Sequence, residues 1–433
     1  MMPAMPSASH GAAVPPWPDF RDPAFLRGHV RQTLGFYAGR ALDPAGGFFH
    51  FFKDDGTVYE RRVRHLVSST RFVFNHATAF RAFGDESDRA AARHGLAFVQ
   101  QAHAHPQGGH AWMIDWDGTR AHLLDDSHQA YGQAFVLLAH AHALMAGIEE
   151  ARAGLDAAVG LLDRRFWEPA HTLYADEATA DWRIGAYRGQ NANMHACEAF
   201  LAAHEATQDE RYLRRSLQLA EAVTQGLAGQ SDGLVWEHYD SHWRVDLDYN
   251  RHDRTNIFRP WGFQTGHLTE WAKLLLQLRR RLQQAQQDVP DWLLPTATRF
   301  FDTAMQRGWD EVHGGLVYGF GPDGAVCDAD KYFWVQAESL AAAAWLAVTQ
   351  QGCAGPGMAA AAERSWTWYR RIWAYAWQHM IDHRHGAWYR IRTPDNRAYG
   401  DEKSPAGKTD YHTMGACHDV LRALGEPMAA PRA

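Results

Sequence analysis

The sequence predicts an all-α fold, an (α/α)6 barrel in which twelve helices form two concentric layers and short β-hairpins gather at one rim. Three observations lead there. Six short glycine-and-aromatic segments begin at residues 46, 108, 173, 233, 314 and 386, so 60 to 81 residues apart. Like segments at that spacing mark one repeated supersecondary unit. Two helical patterns lie between successive segments, and no credible linker interrupts residues 22–425. One catalytic domain is therefore expected over 22–425, behind a flexible leader (1–21) and before a C-terminal tail (426–433).

Taken in order, the helical patterns fall at 23–41, 66–83, 86–105, 127–147, 149–165, 191–206, 209–228, 264–284, 289–307, 331–349, 356–380 and 409–425. Asp22-Pro23 is a cap followed by proline at the first helical position, Asp85-Glu86 puts acid in a first turn, and Gly147 closes a helix. In 127–147 the apolar positions Ala130, Phe135, Leu137, Leu138, Ala141, Leu144 and Met145 form a stripe of helical period. Four segments carry an aromatic or β-branched run into a turn, at Asp54-Asp55-Gly56, Asp117-Gly118, Pro322-Asp323-Gly324 and Pro394-Asp395-Asn396. Each reads as a hairpin. The third segment, Leu173-Tyr174-Ala175-Asp176, lacks the glycines.

Composition narrows the function. Net charge is -7, which leaves no basic footprint for nucleic acid. No stretch approaches the ~18 apolar residues of a membrane span. The Pro/Ala-rich N-terminus has no charged n-region, so a cytoplasmic location is the expectation. The four cysteines form no C-x-x-C, and the histidines show no metal-ligand spacing, so no metal is expected. The 18 tryptophans and 26 histidines suit stacking on sugar rings and proton transfer near neutral pH, though an aromatic core would use them equally well.

Candidate site residues cluster where the second helix of each pair begins. The stretch Arg259 to Trp271 runs from a Pro/Gly loop into a helix, with His267 and Glu270 on one face and Trp261, Phe263 and Trp271 around them. Arg71 lies in an apolar run, Asn191 and His195 share a face, and Tyr131, Trp334 and His412 occupy corresponding starts. Each has an ordinary structural explanation: a helix cap, a core aromatic, an ion-paired arginine. Six helix starts on one ring, however, converge on one cavity. Gly319 to Gly324 matches G-x-G-x-x-G by letter only, since a hairpin turn and no helix follows it.

The segments RGQNANMHACEAF, GFQTGHLTEW, KYFWVQAE and TDYH resemble the N-acylglucosamine 2-epimerase superfamily over about residues 22–425, and within it the aldose–ketose isomerase branch. The resemblance implies an (α/α)6 barrel. It makes His267 and His412 the general acid/base pair and Arg71 the contact to the oxygens near carbons 1 and 2. Tyr131, Asn191, His195, Glu270 and Trp334 become substrate contacts. Gln133 departs from the pattern, standing where some relatives have histidine. The implied activity is cofactor-independent isomerisation of an aldose, D-mannose to D-fructose foremost and D-lyxose to D-xylulose beside it, through a cis-enediol(ate). The implied partner is a small monosaccharide; self-association is left open. A sugar 2-epimerase, a glycoside hydrolase using Glu237, Glu270 or Glu338, and a carbohydrate-binding scaffold are the alternatives. Arg188 and Arg259 are the cations available should the sugar carry a sulfonate.

Overall fold

The computed structural model describes residues 17–253, 256 and 259–428. Twelve α-helices are found among them: α1 (Pro23–Tyr37), α2 (Leu66–Phe83), α3 (Glu86–Ala102), α4 (Ala130–Met145), α5 (Ala151–Arg165), α6 (Gln190–Thr207), α7 (Glu210–Glu221), α8 (Thr265–Gln284), α9 (Leu293–Gly308), α10 (Phe333–Gln351), α11 (Met358–Tyr375) and α12 (Tyr411–Ala423). The even-numbered helices form an inner ring: each packs on the next, and α12 packs back on α2. The odd-numbered helices lie outside, with α3 on α2, α5 on α4 and so on round to α1 on α12.

Sequence explains which helix goes where. Helices α4 and α10 are buried on nearly all faces, and their runs of alanine and leucine suit a layer enclosed on both sides. Helix α7 buries only Tyr212, Leu213, Ser216, Leu219 and Ala220, one stripe at i, i+3/i+4 spacing, and turns its charges outward. The predicted starts hold locally: Asp22 and Asp85 each accept a backbone N–H of the first turn, at Ala24 and Ser87. Such caps each contribute about 1 kcal/mol. Helix α4 begins at Ala130, three residues later than expected, because His128–Gln129 is drawn into a strand.

At one rim the repeats are stitched by six antiparallel strand pairs. Val63–His65 pairs with Met113–Trp116, His128–Gln129 with Glu177–Ala178, and Arg188–Gly189 with His238–Tyr239. Phe263–Gln264 pairs with Gly319–Phe320, Lys331–Tyr332 with Ile391–Arg392, and Glu402–Ser404 with Phe51–Lys53. Each pair joins the strand leading into an inner helix to the next repeat, and the last closes the circle. The hairpins around Asp54-Gly56, Asp117-Gly118 and Pro322-Gly324 form as expected. The one at Pro394–Asn396 is a correction. The turn itself forms, with Thr393 N–H donating to Arg397 O at 3.0 Å. Its flanking strands separate, one to Lys331–Tyr332 and the other to Phe51–Lys53, because ring closure satisfies their edges better than a local hairpin would.

The glycine-rich segments mark the tight turns after the outer helices. Gly108 and Gly109 both hold positive φ, 86° and 76°, which costs glycine nothing. In the glycine-free third copy Thr172 occupies that region at φ 55°, which explains why this copy was the faintest in sequence. Ordered packing begins before residue 22. Phe20 is buried, stacks on Trp373 at 5.2 Å, and its carbonyl accepts the Tyr369 hydroxyl at 2.6 Å. The first sixteen residues of the expected leader and residues 429–433 of the tail lie outside the described residues. Among the described residues no helix is long and apolar enough to cross a membrane.

Candidate active site

The first turns of the inner helices surround a cavity of about 860 Å³ at the strand-bearing rim. All eight residues singled out from sequence line it: Arg71 from α2, Tyr131 from α4, Asn191 and His195 from α6, His267 and Glu270 from α8, Trp334 from α10 and His412 from α12. Trp334 touches both outer histidines, its ring centroid 5.0 Å from that of His267 and 5.9 Å from that of His412. The aromatic surround expected for His267 is corrected. Trp236 packs against Trp261 and Phe263 in the core, and Trp271 points to Gln190, so Trp334 and Trp112 supply the cavity's indoles.

Three histidines face three carboxylates. His267 Nδ1 lies 2.9 Å from Glu237 Oε2, His412 Nδ1 2.7 Å from Glu338 Oε1, and His195 Nδ1 2.9 Å from Glu198 Oε2. Neighbouring groups fix the protons. The Trp271 indole can only donate, and it donates to Gln190 Oε1 at 2.7 Å. The Gln190 amide nitrogen must then face Glu237, which it reaches at 3.0 Å. Glu237 thereby accepts from Gln190, whose amide nitrogen also lies 3.1 Å from His267 Nδ1. Of the two contacts at Nδ1 the one to the carboxylate, 2.9 Å, is the shorter and charge-assisted, which places the imidazole proton on Nδ1 and leaves the Nε2 lone pair. At His412 the other nitrogen fixes the proton. Arg71 Nη2 can only donate, and it lies 3.3 Å from Nε2, so Nδ1 carries the proton given to Glu338.

Electrostatics reinforce this. Burial, aided by Arg71 and opposed by the Glu338 hydrogen bond, takes His412 down to about 4, so its imidazole is neutral. Burial opposes ionisation of Glu338, but Lys273 and the His412 hydrogen bond outweigh it and bring the carboxyl down to about 2. Lys273 bonds directly to Glu338 and lies 3.2 Å from Asp419. His195 is likewise held below its usual range by burial.

Arg71 is buried without an ion pair among the described residues. Its guanidinium lies between Phe135 and Tyr411, 4.5 Å and 4.8 Å from their centroids, and donates to Gly407 O at 2.5 Å and Tyr131 Oη at 3.0 Å. The core ion pair that would have made it merely structural is absent. Glu270, which shares a helix face with His267, makes no hydrogen bond to it among the described residues. Both its carboxyl oxygens are buried without a hydrogen-bond partner among the described residues. Burial, with Glu338 and Glu198 nearby, holds its carboxyl far above the usual range. Gln133 lies outside the cavity and is bonded to His110 at 3.0 Å.

Among the described residues two groups could draw a cation: His195, Glu198 and Glu270, and Glu270, Glu338 and His412, each with ligand atoms within 4.8 Å. A cation in the second would have to displace Lys273 and the His412 proton from Glu338. The two arginines available for a sulfonate are engaged. Arg188 is bonded to Glu168 at 2.7 Å, and Arg259 to Glu177 at 2.6 Å. From sequence Glu237 and Glu338 stand out only as carboxylates a hydrolase could use. Glu198 could have been found from its i+3 spacing to His195, whereas Gln190 and Lys273 gave no local signal.

Comparison with known proteins agrees with this geometry. The family model described as N-acylglucosamine 2-epimerase (GlcNAc 2-epimerase) matches residues 47–416. A D-mannose isomerase of Marinomonas mediterranea is 48% identical over 410 residues, covering 94% of this chain and 99% of that one. A D-mannose isomerase of Thermobifida fusca is 36% identical over 94% of this chain and 96% of its own. A crystal structure of a D-mannose isomerase superposes with a TM-score of 0.88 at 48% identity, over 94% of this chain and 99% of that one. A cellobiose 2-epimerase from Bacillus thermoamylovorans, 19% identical with a TM-score of 0.79 over 92% and 99%, shares the fold. The chain is thus an isomerase belonging to the N-acylglucosamine 2-epimerase family.

Proposed function

We propose that the protein interconverts D-mannose and D-fructose without a cofactor, with D-lyxose and D-xylulose as further substrates sharing carbons 1 and 2. The observation that carries this reading is the pair of buried His–carboxylate dyads, Glu237–His267 and Glu338–His412, beside one Trp334, with the proton of each on Nδ1 and the His412 Nε2 facing the Arg71 guanidinium. Ring opening needs one proton removed from the anomeric hydroxyl and one given to the ring oxygen, and two histidines serve both ends. An Nε2 then takes the proton from carbon 2, oxygen 1 is protonated, and a cis-enediol(ate) forms. Return of the proton to carbon 1, with loss of the proton on oxygen 2, leaves the ketone at carbon 2. Arg71 and Tyr131 offer donors to the charge that develops on the two oxygens. That charge also offsets the field of Arg71 on His412, so the imidazole gains basicity as the proton arrives.

The hydrolase alternative is disfavoured, because Glu237 and Glu338 are each committed to a histidine. Incubation with D-mannose in deuterated water, with products separated and examined by NMR, tests the proposal. D-Fructose is expected first. D-Glucose appearing first would make the enzyme a 2-epimerase, and neither product forming would overturn the reading.

A further inference from the structure

A fourth histidine lines the cavity with its proton on the opposite nitrogen. His65 ends the strand Val63–His65 and is the N-cap of α2, where its Nδ1 accepts the Val67 backbone N–H at 3.3 Å. An accepting Nδ1 on a neutral ring leaves the hydrogen on Nε2. Burial, aided by Arg71, brings this imidazole down to about 4, so it is neutral at pH 7. Among the described residues Nε2 has no hydrogen-bond partner, yet His65 is part of the cavity wall. The ring is held firmly. It meets Trp112 edge-on, centroids 4.3 Å apart. Its own backbone N–H donates to His50 Nδ1 at 3.1 Å, and a buried serine, Ser69, lies between His50 and His103 behind it. An N–H that no acceptor among the described residues claims, on the wall of a binding cavity, is poised for a ligand's oxygen.

We propose that His65 is a substrate-positioning donor whose Nε2–H bonds a hydroxyl on the half of the sugar remote from carbons 1 and 2. His65 is the N-cap of α2 and precedes Arg71 by more than one helical turn, so its backbone lies nearer the rim. Arg71 and His412 hold the reacting end of the sugar, so a donor nearer the rim meets the other end. This assignment rests on the aldose isomerase reading above. It adds a residue that none of the motifs pointed to.

Two substitutions separate the cap from the donor. His65→Asn keeps an acceptor near the position of Nδ1, and asparagine is a preferred N-cap, but it removes the Nε2 donor. His65→Gln places an amide N–H near the position of Nε2 and loses the cap. For full-length enzyme we expect H65N to keep the wild-type Tm and raise KM for D-mannose about fivefold to tenfold, the loss of one hydrogen bond. H65Q should lower Tm and keep KM within about twofold of wild type. With 4-deoxy- and 6-deoxy-D-mannose, the H65N penalty should vanish for one of the two sugars. A wild-type KM in H65N, or an equal penalty on every sugar, would overturn the proposal. Failure of the wild type to make D-fructose would instead overturn the function on which it rests.

Discussion

Replacing Glu237 or Glu338 by glutamine keeps the shape of the side chain and changes what it offers the histidine. A carboxylate can only accept, so it fixes the imidazole proton on Nδ1. An amide can turn its NH2 toward Nδ1 and drive the proton to Nε2, where the base is needed. We expect E237Q and E338Q each to lower kcat about 10²-fold or more, the scale of general acid–base catalysis. H267A and H412A should lower it about 10²- to 10⁴-fold. Initial rates of ketose formation, with circular dichroism to confirm the fold, check all four. A kcat within twofold of wild type in either glutamine variant would remove the orienting role from that carboxylate.

At the scale of the element, the start of α8 shows how backbone shape sets the site. Gly266 lies in its first turn beside His267. A Cβ there would sit 2.2 Å from the Trp334 ring, far inside contact distance. The glycine is what lets the indole of α10 lie against His267. Gly266→Ala should push Trp334 out of place, cost about 1–3 kcal/mol through overpacking, and raise KM more than it lowers kcat. Denaturant titration and steady-state kinetics measure the two effects. Unchanged stability and kinetics would mean the indole has room elsewhere, and that its contact with His267 does not matter. The same logic governs the rim: inner helices start from strands paired across repeats, so each first turn is aimed by its neighbour.

For the molecule as a whole, burial of many histidines gives the fold a pH sensitivity. His29, His65, His140 and His412 are brought down to about 4, and His103, His142 and His418 to about 3, chiefly by burial. The unfolded chain takes up these protons near 6.5, whereas the folded chain refuses them until about 4 or below. Stability is therefore fully present above pH 6.5 and is lost as pH falls through that window. Each such group contributes up to about 1.4 kcal/mol per pH unit there. Thermal melts should show Tm falling by at least about 5 °C between pH 7.5 and 5.5. A flat Tm across that range would contradict the neutral buried histidines. Carboxylates held low, such as Glu338, lose their contribution only in a more acid window, below about 4.5.

Much of this protein was legible in the sequence because it is encoded over short distances. Helix caps at Asp22 and Asp85, apolar stripes, glycine pairs and the repeat spacing are properties of neighbouring residues, and they specified the inner and outer helices. Because a ring aims all six inner N-termini at one axis, they also picked out the residues lining the cavity. What the tertiary structure alone decided lies across the ring. Glu237 and His267 are 30 residues apart and Glu338 and His412 are 74, so no local pattern pairs them. The strand at 402–404 reaches back to Phe51–Lys53 only because the barrel closes there. His65 and His412 carry the same side chain with the proton on opposite nitrogens, since one faces a backbone N–H and the other a carboxylate. Local spacing sets which groups point inward; their partners, and hence their protonation and chemistry, are set by packing between distant segments.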